Sequence, residues 1–191
     1  MEALLGILSA FGLSASAGLN AYIPLLLVGV IAHYTDWIKL NPPFDTLASP
    51  WVLIVVGVLL IFEMLADKFP AVNHVNDAIQ TVIRPAAGAI VFAASANVIT
   101  NLHPAIAIIC GLLVAGSVHT VKAVAIRPAV TVTTGGTANT LVSLAEDAIA
   151  TIISFLSIVL PVLAVVFVVL CIILIIWWLV KRAQRKRQAN L

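Results

Sequence analysis

Apolar residues run through this chain in long blocks. Residues 3–32 are almost unbroken apolar sequence, interrupted by "SASAGLNAYIP" at 14–24. Further blocks occupy 51–66, 86–100, 105–121 and 148–180. Several approach or exceed the roughly 20 residues a helix needs to cross a hydrocarbon core. The first run is too long for one straight span, and Pro161 predicts a kink or break in the last. Between 70 and 83 the period changes. Val72, Val75, Ile79 and Val82 make one helical stripe, and Asn73, Asp77, Gln80 and Arg84 make another. With Pro70 in a first turn, this predicts an amphipathic or re-entrant helix, on the interface or lining a polar cavity. The pattern is that of an all-α, polytopic helical membrane protein: one membrane domain over 1–180, then a basic tail at 181–191.

Composition narrows the class. The chain is 62% apolar and 9% charged, where a soluble domain carries about 25% charged residues, and its mean hydropathy is +1.17. That excludes a soluble domain. Membrane lipids and further copies of the chain are the expected partners, and nucleic acid is not. Cys110 and Cys171 sit inside apolar runs, 61 positions apart, as packed thiols and not a disulfide framework. Ala15-Ser16-Ala17 is not read as a cleavage site, because no basic segment precedes it.

The net charge of +2 matters less than its placement. Lys181, Arg182, Arg185, Lys186 and Arg187 crowd the tail beside Trp177-Trp178, which predicts a cytoplasmic C-terminus with an aromatic anchor. Six crossings with both termini cytoplasmic put nine of ten basic residues inside and only Lys39 outside, with Asp36, Asp45, Glu146 and Asp147 outside. That count makes 129–145 cross although it contains "TGGTAN". Five crossings plus a re-entrant segment is the alternative.

"IRPA" occurs at 83–86 and again at 126–129. Asn97 follows Arg84 by thirteen residues and Asn139 follows Arg127 by twelve. An internal repeat running twice in one direction accounts for both, and repeated halves often meet at a transport site. A chance match in so biased a composition is the competing account.

Candidate chemistry lies in the broken segments and the intramembrane charges. Irregular backbone at membrane depth must be buried in protein or face a water-filled cavity. Thr134, Gly135, Gly136 and Asn139 in TGGTAN, and Asn20 in SASAGLNAYIP, are candidates for a polar site. Close packing through small residues, with Ser14 and Gly18 four apart, is the structural alternative. Glu63 and Asp67 share one helix face. They could bind a solute or pair with Lys68, Arg84 or Lys122. His119 is a relay or ligand candidate. Glu146 and Asp147 could hold a cation or cap the last helix. Arg84 and Arg127, each before a proline, are expected off helical geometry, flanking one site as anion ligands or as partners of Glu63 and Asp67. No catalytic signature stands in the sequence, no cofactor is expected, and a metal site is left open.

The segments "GLNAYIPLL", "ADKFPAVNHVNDAIQTVIRPAAGA", "HTVKAVAIRP" and "TGGTANTLVSLAED" carry a resemblance that covers nearly the whole chain short of the tail. The chain resembles a bacterial membrane-protein family catalogued as domain of unknown function 4126. The resemblance implies a small multi-pass protein of the bacterial inner membrane and no established activity. Asn73 departs from the family's pattern, where an acidic residue is usual, and Thr140 stands where proline often follows the asparagine. The first departure weakens any two-carboxylate cation site around 70–77. The leading expectation is a transporter or channel for a small ion or anionic solute. The alternatives are a non-catalytic scaffold or assembly factor, and an intramembrane enzyme acting on a lipid or lipid phosphate.

Overall fold

A computed structural model describes residues 2–66, 70–99, 102–135 and 137–188; Asp67, Lys68 and Gly136 lie outside them. The described residues form eight α-helices: α1 (Glu2–Leu19), α2 (Tyr22–Tyr34), α3 (Pro50–Ala66), α4 (Pro70–Ile99), α5 (Pro104–Val121), α6 (Arg127–Thr134), α7 (Asn139–Val159) and α8 (Pro161–Gln188). A 3-10 turn (Phe44–Ala48) precedes α3, and a π-helical turn (Lys122–Ile126) joins α5 to α6. Three segments are long and apolar enough to cross a membrane: 78–96, Pro104–Thr134 and Asn139–Val159. Shorter apolar helices at Ala3–Leu19, Tyr22–Tyr34, Pro50–Ala66 and Val169–Trp178 accompany them.

Polarity is turned inside out. Glu63, Gln80, Arg84 and Lys122 are buried, while Ile79, Val82, Val124 and Leu141 are exposed. That surface suits hydrocarbon, where apolar side chains meet lipid and charges must find partners inside. The protein is a helical membrane protein.

Small residues set the core. Ser14 Oγ donates toward the carbonyls of Gly88 at 3.2 Å and Gly111 at 2.8 Å. A Cβ on Gly18 would lie 2.6 Å from Ala115 O, and one on Gly88 would collide with the Ala115 side chain. The Ser14–Gly18 spacing is therefore a packing seam. Ala10 clusters with Phe92, Ala96 and Ala107, so α4 runs against α1 and α5 runs with it. Ser16 Oγ donates to Ala150 O at 2.8 Å and pairs with Ser154 Oγ at 2.7 Å. Asn20 reaches Asp147, so α7 also runs against α1.

Several expectations fail against this arrangement. Residues 3–32 are not one crossing. Leu13, Ala17, Ala21, Leu25 and Val28 share one buried cluster. Trp37 and Ile38, beyond α2, line a cavity with Leu5, Gly6 and Ser9 of α1. So α1 and α2 form an antiparallel pair folded at Asn20–Ala21, and the 35–49 connector sits where α1 begins. The last run breaks at Pro161, as the sequence predicts, so it is two helices, α7 and α8. Val159 and Pro161 line that same cavity, and α8 then passes Val169 and Ile172 alongside Phe11, Ala15 and Val118. Helix α8 thus runs with α1, so the chain starts at one end of the bundle and its basic tail leaves from the other. Both termini on one face does not fit this fold.

Nor do residues 129–145 cross. Helix α6 stops at Gly135, whose φ of +60° is left-handed. Helix α7 returns along α6, with Thr131 bonded to Asn139 and Arg127 to Ser143. Glu146 lies 2.7 Å from Lys122, so the two cannot stand on opposite faces as six crossings require. The stretch at 70–83 is no separate helix but the first half of α4, with its polar stripe turned inward at Gln80 and Arg84. The two IRPA copies are not equivalent. Arg84–Pro85 lies inside α4, whereas Arg127–Pro128 opens α6 in the outgoing continuation of α5. Arg127 keeps helical angles, φ −60° and ψ −49°; the preceding π-helical turn, and not the arginine, takes up the irregularity there.

Candidate functional site: a charge network at a helix break

The break between α1 and α2 is built from side chains. Asn20 Oδ1 accepts the backbone N–H groups of Tyr22 at 3.0 Å and Ile23 at 3.1 Å, capping α2. Pro24 in the first turn of α2 lacks an N–H where none is required. The Asn20 amide donates to Asp147 Oδ1 at 2.9 Å. On the other side of the break, Lys122 Nζ donates to Leu19 O at 3.1 Å. Backbone groups that lipid could not satisfy are thus met by Asn20 itself and by Lys122 of the π-helical turn, and Asp147 of α7 holds the Asn20 amide in place.

Two charge clusters surround this point. In the first, Arg84 Nη2 meets Glu63 Oε1 at 2.8 Å, with both side chains about fully buried. Arg84 Nη1 lies 3.4 Å from His119 Nδ1. Arginine can only donate, so Nδ1 accepts, and the Nε2–H of His119 donates to Thr81 Oγ1 at 3.2 Å. Glu63 and His119 therefore converge on the Arg84 guanidinium. In the second cluster Glu146 Oε2 lies 2.7 Å from Lys122 Nζ and 3.7 Å from Arg127 Nη2. Arg127 also donates to Ser143 Oγ at 3.1 Å. Lys122 follows His119 by one helical turn and joins the clusters.

The site is balanced and incompletely satisfied. Among the described residues Arg84 is paired with Glu63, Lys122 and Arg127 share Glu146, and Asp147 is held by Asn20, three charges of each sign. Gln80 Oε1, Arg84 Nε and Glu146 Oε1 are buried with no hydrogen-bond partner among the described residues. Each such group costs about 1–3 kcal/mol, which a water or a bound solute would offset. No group of three or more His, Cys, Asp or Glu able to hold a metal occurs among the described residues.

The family described as a domain of unknown function, DUF4126, matches residues 7–181. The chain belongs to that family. No curated protein and no solved structure matches it. Membership in DUF4126 brings no named activity, so the reading of this member rests on its own geometry.

Of the sequence candidates, the fold brings together Asn20, Glu63, Arg84, His119, Lys122, Arg127, Glu146 and Asp147. It leaves Thr134, Gly135 and Asn139 apart, in the turn between α6 and α7, where a Cβ on Gly135 would meet none of the described residues within 4 Å. Asp67 and Gly136 lie outside the described residues. The candidates missed Gln80, Thr81 and Ser143. Gln80 was visible one turn before Arg84 on the polar stripe, and Ser143 one turn before Glu146. Nothing in the sequence marks the Leu19 carbonyl.

Proposed function

We propose that this DUF4126 member is a transporter or channel of the bacterial inner membrane. Its small charged solute would pass the network formed by Asn20, Glu63, Arg84, His119, Lys122, Arg127, Glu146 and Asp147. One observation carries the reading: buried charges of both signs converge where α1 is interrupted, and Gln80 Oε1, Arg84 Nε and Glu146 Oε1 have no hydrogen-bond partner among the described residues. Discontinuous helices around a polar site are the usual construction of secondary transporters. Intramembrane charge is expensive to keep without a use. The basic tail is read as cytoplasmic. A second reading, a membrane scaffold, is favoured by the pairing of Arg84 with Glu63 and of Lys122 with Glu146.

Reconstitution separates the two. Proteoliposomes on a solid-supported membrane, challenged with gradients of sodium, potassium, chloride and phosphate, should give a current above that of protein-free liposomes. An Arg84→Gln/Glu63→Gln protein, which strands no buried carboxylate, should give none at equal incorporation. Silence from well-incorporated wild type toward all four ions would leave the scaffold reading standing.

A further inference from the structure

In an unbroken helix the Ile23 N–H would bond Leu19 O, four residues back. Here Asn20 Oδ1 takes that N–H at 3.1 Å. The Leu19 carbonyl is left at the C-terminal end of α1, where the helix dipole is negative. What it receives is Lys122 Nζ, at 3.1 Å, and the same ammonium lies 2.7 Å from Glu146 Oε2. A compact monovalent cation is therefore held between a main-chain carbonyl and a carboxylate at a helix break, with 2% of the lysine side chain exposed. Glu146 Oε1, also buried, has no hydrogen-bond partner among the described residues. The lysine does not exhaust the oxygen ligands there.

Carbonyls released at broken helices, with nearby acidic groups, are how transporters ligate monovalent cations. Lysine is a point charge on a flexible stem and can withdraw. Charge decides the kind of solute. An anion would have to displace Glu146 from Lys122 and upset a balanced network. A cation replaces the ammonium charge for charge.

We propose that the Leu19 carbonyl and Glu146 form a monovalent-cation site, and that Lys122 is its tethered occupant. Sodium, potassium or ammonium ion takes the position when the lysine side chain leaves it. This names the solute of the transport reading and rests on that reading only for the claim that the cation crosses. Binding is measured apart from flux.

The test uses the full chain in detergent, as wild type, Lys122→Met, Lys122→Ala and Lys122→Met/Glu146→Gln. Each is melted, followed by tryptophan fluorescence, in sodium, potassium, ammonium or choline chloride at equal ionic strength. Choline is too large for the site. At least one small cation should raise the melting temperature of both lysine variants above its choline value, by on the order of 5 °C near saturation. Wild type should respond little, and Glu146→Gln should abolish the response. A folded Lys122→Met protein that melts alike in all four salts overturns the proposal. So does a response that survives Glu146→Gln, which would place the cation elsewhere. So does failure of both lysine variants to fold in any of the four salts, because the position then demands the lysine itself. A cation response without flux in liposomes keeps the site and removes the transport reading. Flux without a cation response does the reverse.

Discussion

Arg84 and Arg127 carry the same charge in the same tetrapeptide, yet the structure assigns them different weights. The Arg84 and Glu63 side chains are 1% and 2% exposed, at 2.8 Å. Removing one partner of such a pair strands the other and costs about 3–5 kcal/mol. Arg84→Ala should therefore largely remove folded protein from the membrane, and Arg84→Ala/Glu63→Gln should restore a good part of it. Monodisperse yield on size-exclusion chromatography reads both; no recovery in the double variant would mean that Arg84 acts through something other than Glu63. Arg127 is less buried and 3.7 Å from its carboxylate. Its loss leaves Glu146 still paired with Lys122, so Arg127→Ala should lower the same chromatographic yield less than Arg84→Ala does. The charged members of the site were legible in the sequence because ionised groups at membrane depth persist only with partners. The partners were not legible. Arg127 answers to Ser143 and Glu146, which the six-crossing count had put on the far face.

At the scale of elements, the two glycine seams make opposite demands. Gly88 is closed in by Ala115, Gly111 and Ser14, so Gly88→Val should prevent α1, α4 and α5 from closing. Gly135 has space around it but a φ of +60°, a conformation that costs an ordinary L residue about 1–2 kcal/mol. Gly135→Ala and Gly135→Leu should thus lose the same amount, and Gly135→Asn less. Thermal melts of the three variants check this, and a leucine far worse than alanine would mean that something fills the space. The same contrast shows what sequence pattern can convey. The Ser14–Gly18 seam and the inward stripe of α4 follow from helical spacing, and both could be read. The fold-back at Asn20 could be read only as an interruption. A helix of 3.6-residue period looks the same whether it continues onward or turns back, and the contacts that hold the break, Lys122 on Leu19 O and Asp147 on the Asn20 amide, join residues more than a hundred positions apart. TGGTAN misled for the related reason that a polar turn at a helix end and a polar break within the bilayer use the same residues.

For the whole molecule, the orientation of the two chain ends tests the fold most directly. The first 38 residues contain no lysine or arginine, so the positive-inside rule has nothing to act on there. The nine-to-one distribution survives whichever way α1 points. That is why composition admitted both termini inside, and why the antiparallel α1–α2 pair corrects the count without moving a single basic residue. Only Lys39 belongs to the 35–49 connector, and that connector shares its end of the bundle with the start of α1 and with Pro161. Helix α8 leads from there past Trp177 and Lys181, whose ammonium lies 4.5 Å from the indole centroid, a contact suited to an interfacial anchor. Single cysteines at Ala3, Asp45 and Gln184, in a background lacking Cys110 and Cys171, can be probed with a membrane-impermeant thiol reagent in intact cells. The first two should label, and the third should label only after the membrane is opened. Protection of positions 3 and 184 together, with labelling at 45, would restore a single crossing for residues 3–32. It would also dissolve the helix break on which the charge network is built.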